Sequence, residues 1–327
     1  MSNKLIPFLR LIRYKNLLIV AATMYLMRHA IIQPILWISD FELQLDHFRF
    51  FLLVLASVTV TAAGYVINDY FDTRTDRLNR PGRVVVGRQL SRRAAIILHW
   101  LLNFFGFVTG FYVAFHVGVP LMGIFFILAA GMLWFYSTNF NRQFLTGNLV
   151  IAILTAMVPV TVVLFELPAL NREYGAILRT HHTSFAYIFA WVGSFGYFAF
   201  ITTLIRELIK DIEDYEGDVV QGRKSVPIVL GIPYTKLIVG GLIFVTLASL
   251  AYLYKGHLMT GFFGETDYLS LLYFLALLIL PLVLLLYRII MARSKPDYRS
   301  AHNLAKLIML TGISYSLLVR YIIIASF

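Results

Sequence analysis

A chain of 327 residues that is 59% hydrophobic and only 14% charged cannot cover its own surface with polar groups, so it reads as a membrane protein and not a water-soluble globule. A formal charge of +11 would suit nucleic acid only as a basic patch on a soluble face; here the basic residues lie between apolar runs, so they report topology and no nucleic-acid partner is expected. Cysteine is absent, which excludes disulfides and thiolate metal sites and leaves oxygen and imidazole as metal donors.

Apolar runs near the ~20 residues that a helix needs to cross the hydrocarbon core recur along the whole chain. They predict nine transmembrane helices, at roughly 17–38, 48–68, 94–116, 119–138, 148–166, 184–206, 236–254, 268–291 and 303–325, hence an all-α polytopic fold. No short apolar segment with a small-residue cleavage site opens the chain, so the first helix is expected to be retained. No Ser/Gly-rich linker or low-complexity tract interrupts it, and one membrane-embedded domain over residues 1–327 is the simplest organisation. With the N-terminus inside, only Arg49, Arg172, Arg179 and Lys255 of the 28 Lys and Arg fall in external segments, and Arg28 and Arg320 fall within spans. The positive-inside rule then predicts an integral protein of the cell (inner) membrane whose even-numbered helices end in the cytoplasm.

The two longest polar stretches, 69–93 and 207–235, contain a repeat. Segment 68–76 (Asn-Asp-Tyr-Phe-Asp-Thr-Arg-Thr-Asp) matches segment 210–218 (Lys-Asp-Ile-Glu-Asp-Tyr-Glu-Gly-Asp), aligning Asp69 with Asp211, Asp72 with Asp214 and Asp76 with Asp218, which implies two related halves. The first follows helix 2 and the second helix 6, so both are expected to face the cytoplasm. In each, the aspartates fall at i, i+3 and i+7, within roughly 60° of one another on one helix face, and Glu207 extends the second face by a turn.

Carboxylates so placed repel: two unit charges 4 Å apart interact at about 4 kcal/mol even at an effective dielectric of 20. Such a cluster calls for divalent cations. Hard oxygen donors suit magnesium, which takes few carboxylates and bridges readily to phosphate oxygens, so a diphosphate is the implied partner. Neither segment has the ligand spacing of a calcium loop, and the duplication argues against a merely solvated helix end. Arg74, Arg77, Arg80, Arg83 and Arg88 follow the first segment, and Lys210, Arg223 and Lys224 accompany the second; some of these are expected to neutralise the diphosphate.

These residues resemble the UbiA-type superfamily of intramembrane prenyltransferases, whose hallmark is an NDxxDxxxD motif after helix 2 and a second DxxDxxxD-like motif after helix 6. Segment 11–16 (Leu-Ile-Arg-Tyr-Lys-Asn) is similar to the family's LxRPxN entry, segment 79–83 (Asn-Arg-Pro-Gly-Arg) to its Arg-containing segment, and Tyr136 with Gly147 and Asn148 to its middle region. Segment 206–218, reading RExxKDxEDxxGD, resembles the archaeal-type digeranylgeranylglyceryl phosphate synthases. Tyr14 and Val84 depart from expected prolines, and Asn141 stands where a Lys is expected, with Arg142 next to it as a substitute charge.

The resemblance implies Asp69, Asp72 and Asp76 on one Mg2+ and Asp211, Asp214 and Asp218 on another, with an isoprenoid diphosphate as donor. Its branch implies geranylgeranyl transfer to geranylgeranylglyceryl phosphate, a lipophilic acceptor met in the membrane lipid. Asn16, Asn68, Arg83, Tyr136, Arg142, Asn148, Glu207, Lys210 and Lys224 are the candidate substrate-binding residues, Tyr136 as an aromatic face for the allylic cation. An aromatic-acceptor prenyltransferase of quinone-type biosynthesis is the near alternative. A secondary transporter is the distant one, disfavoured because the acids lie at span ends and not at the midplane. Of the other polar residues, Arg28 and His29 are expected to snorkel to the outer interface, His99 and His116 to play interface roles, and Glu166 and Glu173 to be structural or solvent-facing.

Overall fold

The computed structural model describes residues 5–73, 84–180, 183–260 and 266–325; among these the backbone is overwhelmingly helical, with one isolated bridge, Val86 to Leu90, in place of any strand. Nine of the described helices are long and apolar enough to cross a membrane: α1 Tyr14–Trp37, α2 His47–Phe71, α3 Arg92–His116, α4 Pro120–Thr138, α5 Thr146–Thr180, α6 Ala186–Glu213, α7 Ile232–Leu258, α8 Tyr268–Met291 and α9 Lys295–Ala325. The protein is an integral membrane protein of the all-α polytopic class.

The apolar runs locate all nine helices but not all of their ends. α5 and α9 continue well past the predicted 148–166 and 303–325, because hydropathy marks only what lipid requires, and polar continuations keep their i to i−4 hydrogen bonds in water. α5 also runs through Pro159 and Pro168, which membrane helices tolerate when neighbouring groups satisfy the freed carbonyls. Three helices contain a wider π-type turn, at Met27–Ile32, Tyr254–Leu258 and Phe274–Ile279. The expected snorkelling of Arg28 does not occur: it is 2% exposed inside the first of these turns. The widened turn presents the His29 carbonyl to Arg320 of α9, which donates to it at 2.8 Å.

The described residues form two compact units. The first comprises Met1–Tyr25, Glu42–Asn141 and Val158–Phe189. In it α2 packs along α3 and α4. A Cβ on Gly106 of α3 would lie 2.7 Å from Val60 Cγ2 of α2, and one on Gly110, a turn further, would run into the Phe126 ring of α4. Lipid is as apolar as leucine, so membrane helices are held by close backbone approach and dispersion, for which Gly at i and i+4 leaves room. At the acidic end of α2, Leu11, Val66, Val85, Val86 and Ala95 form a buried cluster that fixes the short helix Leu5–Leu11 and the loop after residue 83 against α2. At the other end Asp46 caps α2, accepting from the Arg49 N–H at 2.9 Å. Glu166, 1% exposed, accepts from the backbone N–H groups of Gln44 (2.6 Å) and Leu45 (3.0 Å), the structural role expected for it.

The second unit comprises Leu26–Phe41, Arg142–Met157 and Ala190–Phe327. Here α8 packs on α7 and α9, and α9 also packs on residues 27–37. Lys236 of α7 donates to the Ala292 carbonyl at 2.6 Å, closing the end of α8, and Ser270 and Tyr315 share a buried hydrogen bond of 2.8 Å between α8 and α9.

Gly110→Leu forces the Phe126 ring out of its position and is expected to destabilise the first unit by about 1–3 kcal/mol, seen as earlier thermal unfolding of the detergent-solubilised protein. Gly131→Ala, where nothing lies within 4 Å of the added Cβ, should leave the transition in place.

Candidate active site

The first acidic segment is the end of α2. Asn68 and Asp69 occupy its last turn, and Asp72 terminates it with φ −82° and ψ 9°, its N–H bonded to the Asn68 carbonyl at 2.9 Å. Asn68 Nδ2 donates to Asp72 Oδ2 at 3.0 Å. Thr73 Oγ1 donates back to the carbonyls of Asp69 and Tyr70 at 3.0 Å each, so the turn is held from both sides. Asp76 and Arg83 lie in 74–83, outside the described residues.

A helix C-terminus is the negative end of the macrodipole, so carboxylates there want a cation. Arg13 supplies one: its Nη2 donates to Asp69 Oδ1 at 3.0 Å and to Asn68 Oδ1 at 3.3 Å, and its guanidinium lies 4.7 Å from the Tyr65 ring centroid. Burial works against the Arg13 charge, but Asp69 and Tyr65 outweigh it and hold its pKa above the ordinary arginine value. Arg13 reaches this place through φ +51°, at the break between the helix Leu5–Leu11 and α1. That left-handed conformation costs a non-glycine residue roughly 1–2 kcal/mol. Asn16 donates to the Tyr65 hydroxyl at 3.1 Å, steadying the ring beneath Arg13, and Tyr136, half-buried near the end of α4, lies within electrostatic reach of Arg13.

The second acidic segment begins in the last turn of α6. Asp214 follows with φ −93° and ψ 5°, its N–H bonded to the Lys210 carbonyl at 2.9 Å, and the helix Tyr215–Val220 continues the path. Backbone angles and hydrogen bond at Asp214 match those at Asp72, its partner in the repeat. Asp211 Oδ2 accepts from Asn148 Nδ2, in the first turn of α5, at 2.8 Å. Asp218 is 4% exposed and has Arg223 Nη1 at 3.6 Å. The Lys224 N–H donates to the Arg142 carbonyl at 3.0 Å, which brings those two candidate cations together. Glu207, 7% exposed, pairs with Arg206 and has Lys210 Nζ at 3.9 Å.

Thus Asn16, Asn68 and Tyr136 gather around the first segment, and Asn148, Arg142, Lys224, Lys210 and Glu207 around the second. Arg88 is exposed. The residue missed as an individual candidate is Arg13: it stood in the entry segment 11–16, but no sequence pattern announces the left-handed turn that aims it at Asp69.

Among the described residues, no three carboxylate or imidazole groups converge as a preformed metal cage. Magnesium does not need one, since it is commonly held by one or two carboxylates together with substrate phosphates and water. The all-oxygen donors Asp69, Asp72, Asp211, Asp214 and Asp218 fit it.

The UbiA prenyltransferase family model matches residues 17–309, and the chain belongs to that family. Digeranylgeranylglyceryl phosphate synthase of Methanothermobacter thermautotrophicus is 30% identical over 203 residues, 61% of this chain and 63% of the relative, so the match spans less than two thirds of that protein. A solved structure described as digeranylgeranylglyceryl phosphate synthase in membranes superposes with TM-score 0.63 at 21% identity, covering 97% of this chain and 99% of that one. A UbiA homologue from Archaeoglobus fulgidus bound to GPP and Mg2+ gives TM-score 0.56 at 15% identity, covering 95% and 99%. At these identities the two structures speak for the fold.

Asn148→Leu removes the amide that donates to Asp211 and is expected to lower the unfolding free energy by about 1–2 kcal/mol, less than a fully buried charged hydrogen bond because Asp211 is half-buried. Thermal unfolding in detergent measures this; an unchanged midpoint would show that the bond contributes nothing.

Proposed function

We propose that the protein is a magnesium-dependent prenyltransferase in which residues 1–327 act as one membrane-embedded domain. It transfers a geranylgeranyl group from its diphosphate to the glycerol hydroxyl of geranylgeranylglyceryl phosphate. The observation that carries this reading is the pair of acidic helix ends with the same backbone turn at Asp72 and Asp214. The family match supports the reaction class, the name of the relatives supports the acceptor, and the Archaeoglobus homologue bound to GPP and Mg2+ supports the donor and the metal. In this reading both segments lie at the cytoplasmic side of the membrane and grip one diphosphate, with Asp69, Asp72 and Asp76 on one ion and Asp211, Asp214 and Asp218 on another.

Bound magnesium supplies Lewis-acid stabilisation of the leaving diphosphate. The chain's own residues do the rest. Arg83, Arg142, Lys210 and Lys224 bind diphosphate oxygens, which gain charge as the prenyl C1–O bond breaks and its electron pair leaves with the diphosphate. Asn68 and Asn148 hold Asp72 and Asp211 in one orientation by hydrogen bonds of 3.0 and 2.8 Å, so little reorganisation is needed during the reaction. Asn16 fixes Tyr65, and through it the Arg13 guanidinium beside Asp69. The Tyr136 ring face stabilises the allylic cation, and the surrounding apolar helices limit its capture by water. The acceptor oxygen then bonds to C1, and its proton passes to the departing diphosphate or a carboxylate.

Purified protein incubated with labelled geranylgeranyl diphosphate and geranylgeranylglyceryl phosphate should release diphosphate only when magnesium is present, and aromatic acids should not replace the acceptor. Asp72→Ala and Asp214→Ala should each lower turnover at least a thousandfold (~4 kcal/mol) while leaving detergent-extractable, folded protein. Turnover that survives in both variants, or transfer to aromatic acids alone, would sink the assignment.

A further inference from the structure

Above the second acidic segment, α6 and α9 share a polar stripe of which the reaction described so far uses only Lys210, at its lower end. On α6, Thr203, Arg206, Glu207 and Lys210 recur at helical spacing on one face; on α9, Arg299, His302 and Lys306 do the same. The two faces meet: Arg299 Nε donates to Glu213 Oε1 at 3.0 Å, and His302 lies within electrostatic reach of Lys306, Arg206, Glu207 and Lys210. His302 is 7% exposed and Thr203 fully buried. His302 Nδ1, Arg206 Nε and Thr203 Oγ1 are buried, with no hydrogen-bond partner among the described residues. Buried polar atoms are almost always satisfied, so three unpaired ones on facing helices point to something that pairs with them.

Charge and donor chemistry say what it is. Arg206, Arg299 and Lys306 against Glu207 and Glu213 leave a surplus of one positive charge, not counting His302, and Lys210 adds a second where the stripe borders the diphosphate site. A phosphate monoester carries about two negative charges near neutral pH and offers three strong acceptor oxygens, whereas a carboxylate or a phosphodiester carries only one charge. Both helices are membrane spans, so the ester that arrives there has an apolar tail. We infer that the α6–α9 stripe is the subsite for a lipid phosphate monoester, with His302 and Arg206 donating to its oxygens and Lys306 at its mouth. Resting on the function proposed above, it holds the acceptor's phosphate apart from the donor's diphosphate.

The test uses hexadecyl phosphate and hexadecanol as probes, with equilibrium binding measured on the full chain in detergent. The phosphate should bind more tightly than the alcohol, and His302→Leu and Lys306→Met should each weaken the phosphate roughly tenfold (1.4 kcal/mol) without changing the alcohol. His302→Gln, which keeps an N–H donor, should recover part of the loss, and exposed Lys306 can be changed with little risk to folding. In turnover, the same variants should raise KM for the phosphorylated acceptor and leave KM for the prenyl diphosphate alone. Equal binding of the two probes, equal weakening of both, or normal transfer with an unchanged acceptor KM would overturn the subsite while leaving the prenyltransferase reading intact. Phosphate preference that depends on His302 and Lys306, without prenyl transfer from any donor, would uphold the subsite and sink that reading.

Discussion

The arrangement depends on carboxylates held where the backbone is already negative. α2 and α6 both run out at acidic segments, so the partial charge of the last carbonyls adds to that of Asp69 and Asp72 in one unit and of Asp211 and Asp214 in the other. Each unit answers with a side chain from another segment, and the answers differ. The first brings a full positive charge, Arg13, to Asp69. The second brings an amide, Asn148, to Asp211, which orients the carboxylate without neutralising it. The first segment is thus compensated at Asp69 by Arg13 and the second at Asp218 by Arg223, while Asp211 is oriented by an amide.

Much of the remaining structure delivers those two partners. The cluster of Leu11, Val66, Val85, Val86 and Ala95 fixes the helix Leu5–Leu11 against α2, and Arg13 follows two residues later in a strained conformation that such anchoring holds in place. Duplication shows at the level of backbone: Asp72 and Asp214 share dihedral angles and the same hydrogen bond to the residue four before. It does not extend to side chains. Asn68 bridges to Asp72, whereas its counterpart Lys210 faces Glu207. The two turns share one backbone geometry while their side-chain surroundings differ.

The sequence was legible where the physics is local. Twenty apolar residues in lipid have no alternative to a helix, so the nine spans could be read directly; the single helix face expected from aspartates at i, i+3 and i+7 was not, because α2 ends before Asp72 and α6 ends before Asp214. Contacts between distant segments were not legible. Asn148 was a candidate substrate ligand, but nothing in a linear pattern tells that its amide meets Asp211. Arg13 was hidden by a positive φ that only tertiary packing enforces, and Arg28, expected at the interface, is enclosed because α1 widens into a π-type turn that hydropathy does not register. The histidine of α9 was not singled out at all, since a lone His in a polar helix start carries no signal until its neighbours on α6 are known.

The polar groups of α6 are ordered along one helix. Thr203, Arg206, Glu207 and Lys210 come first, and Asp211, Asp214 and Asp218 continue the path across the break at Asp214. From Arg206 to Asp214 is about two turns, roughly 12 Å along the axis. A glycerol hydroxyl tethered through its phosphate at the upper group would thus need only that reach to meet a prenyl carbon whose diphosphate sits at the lower one. In the proposed reading α6 contributes to both substrate sites, so part of their separation is set by helix geometry, and a fixed separation is the condition under which proximity lowers a barrier most. The proposed reading would also account for a cation-rich stripe beside an acidic one: two phosphorylated lipids held near each other need positive charge for one and metal-ready carboxylates for the other, since two sites of one kind would compete for the same headgroup.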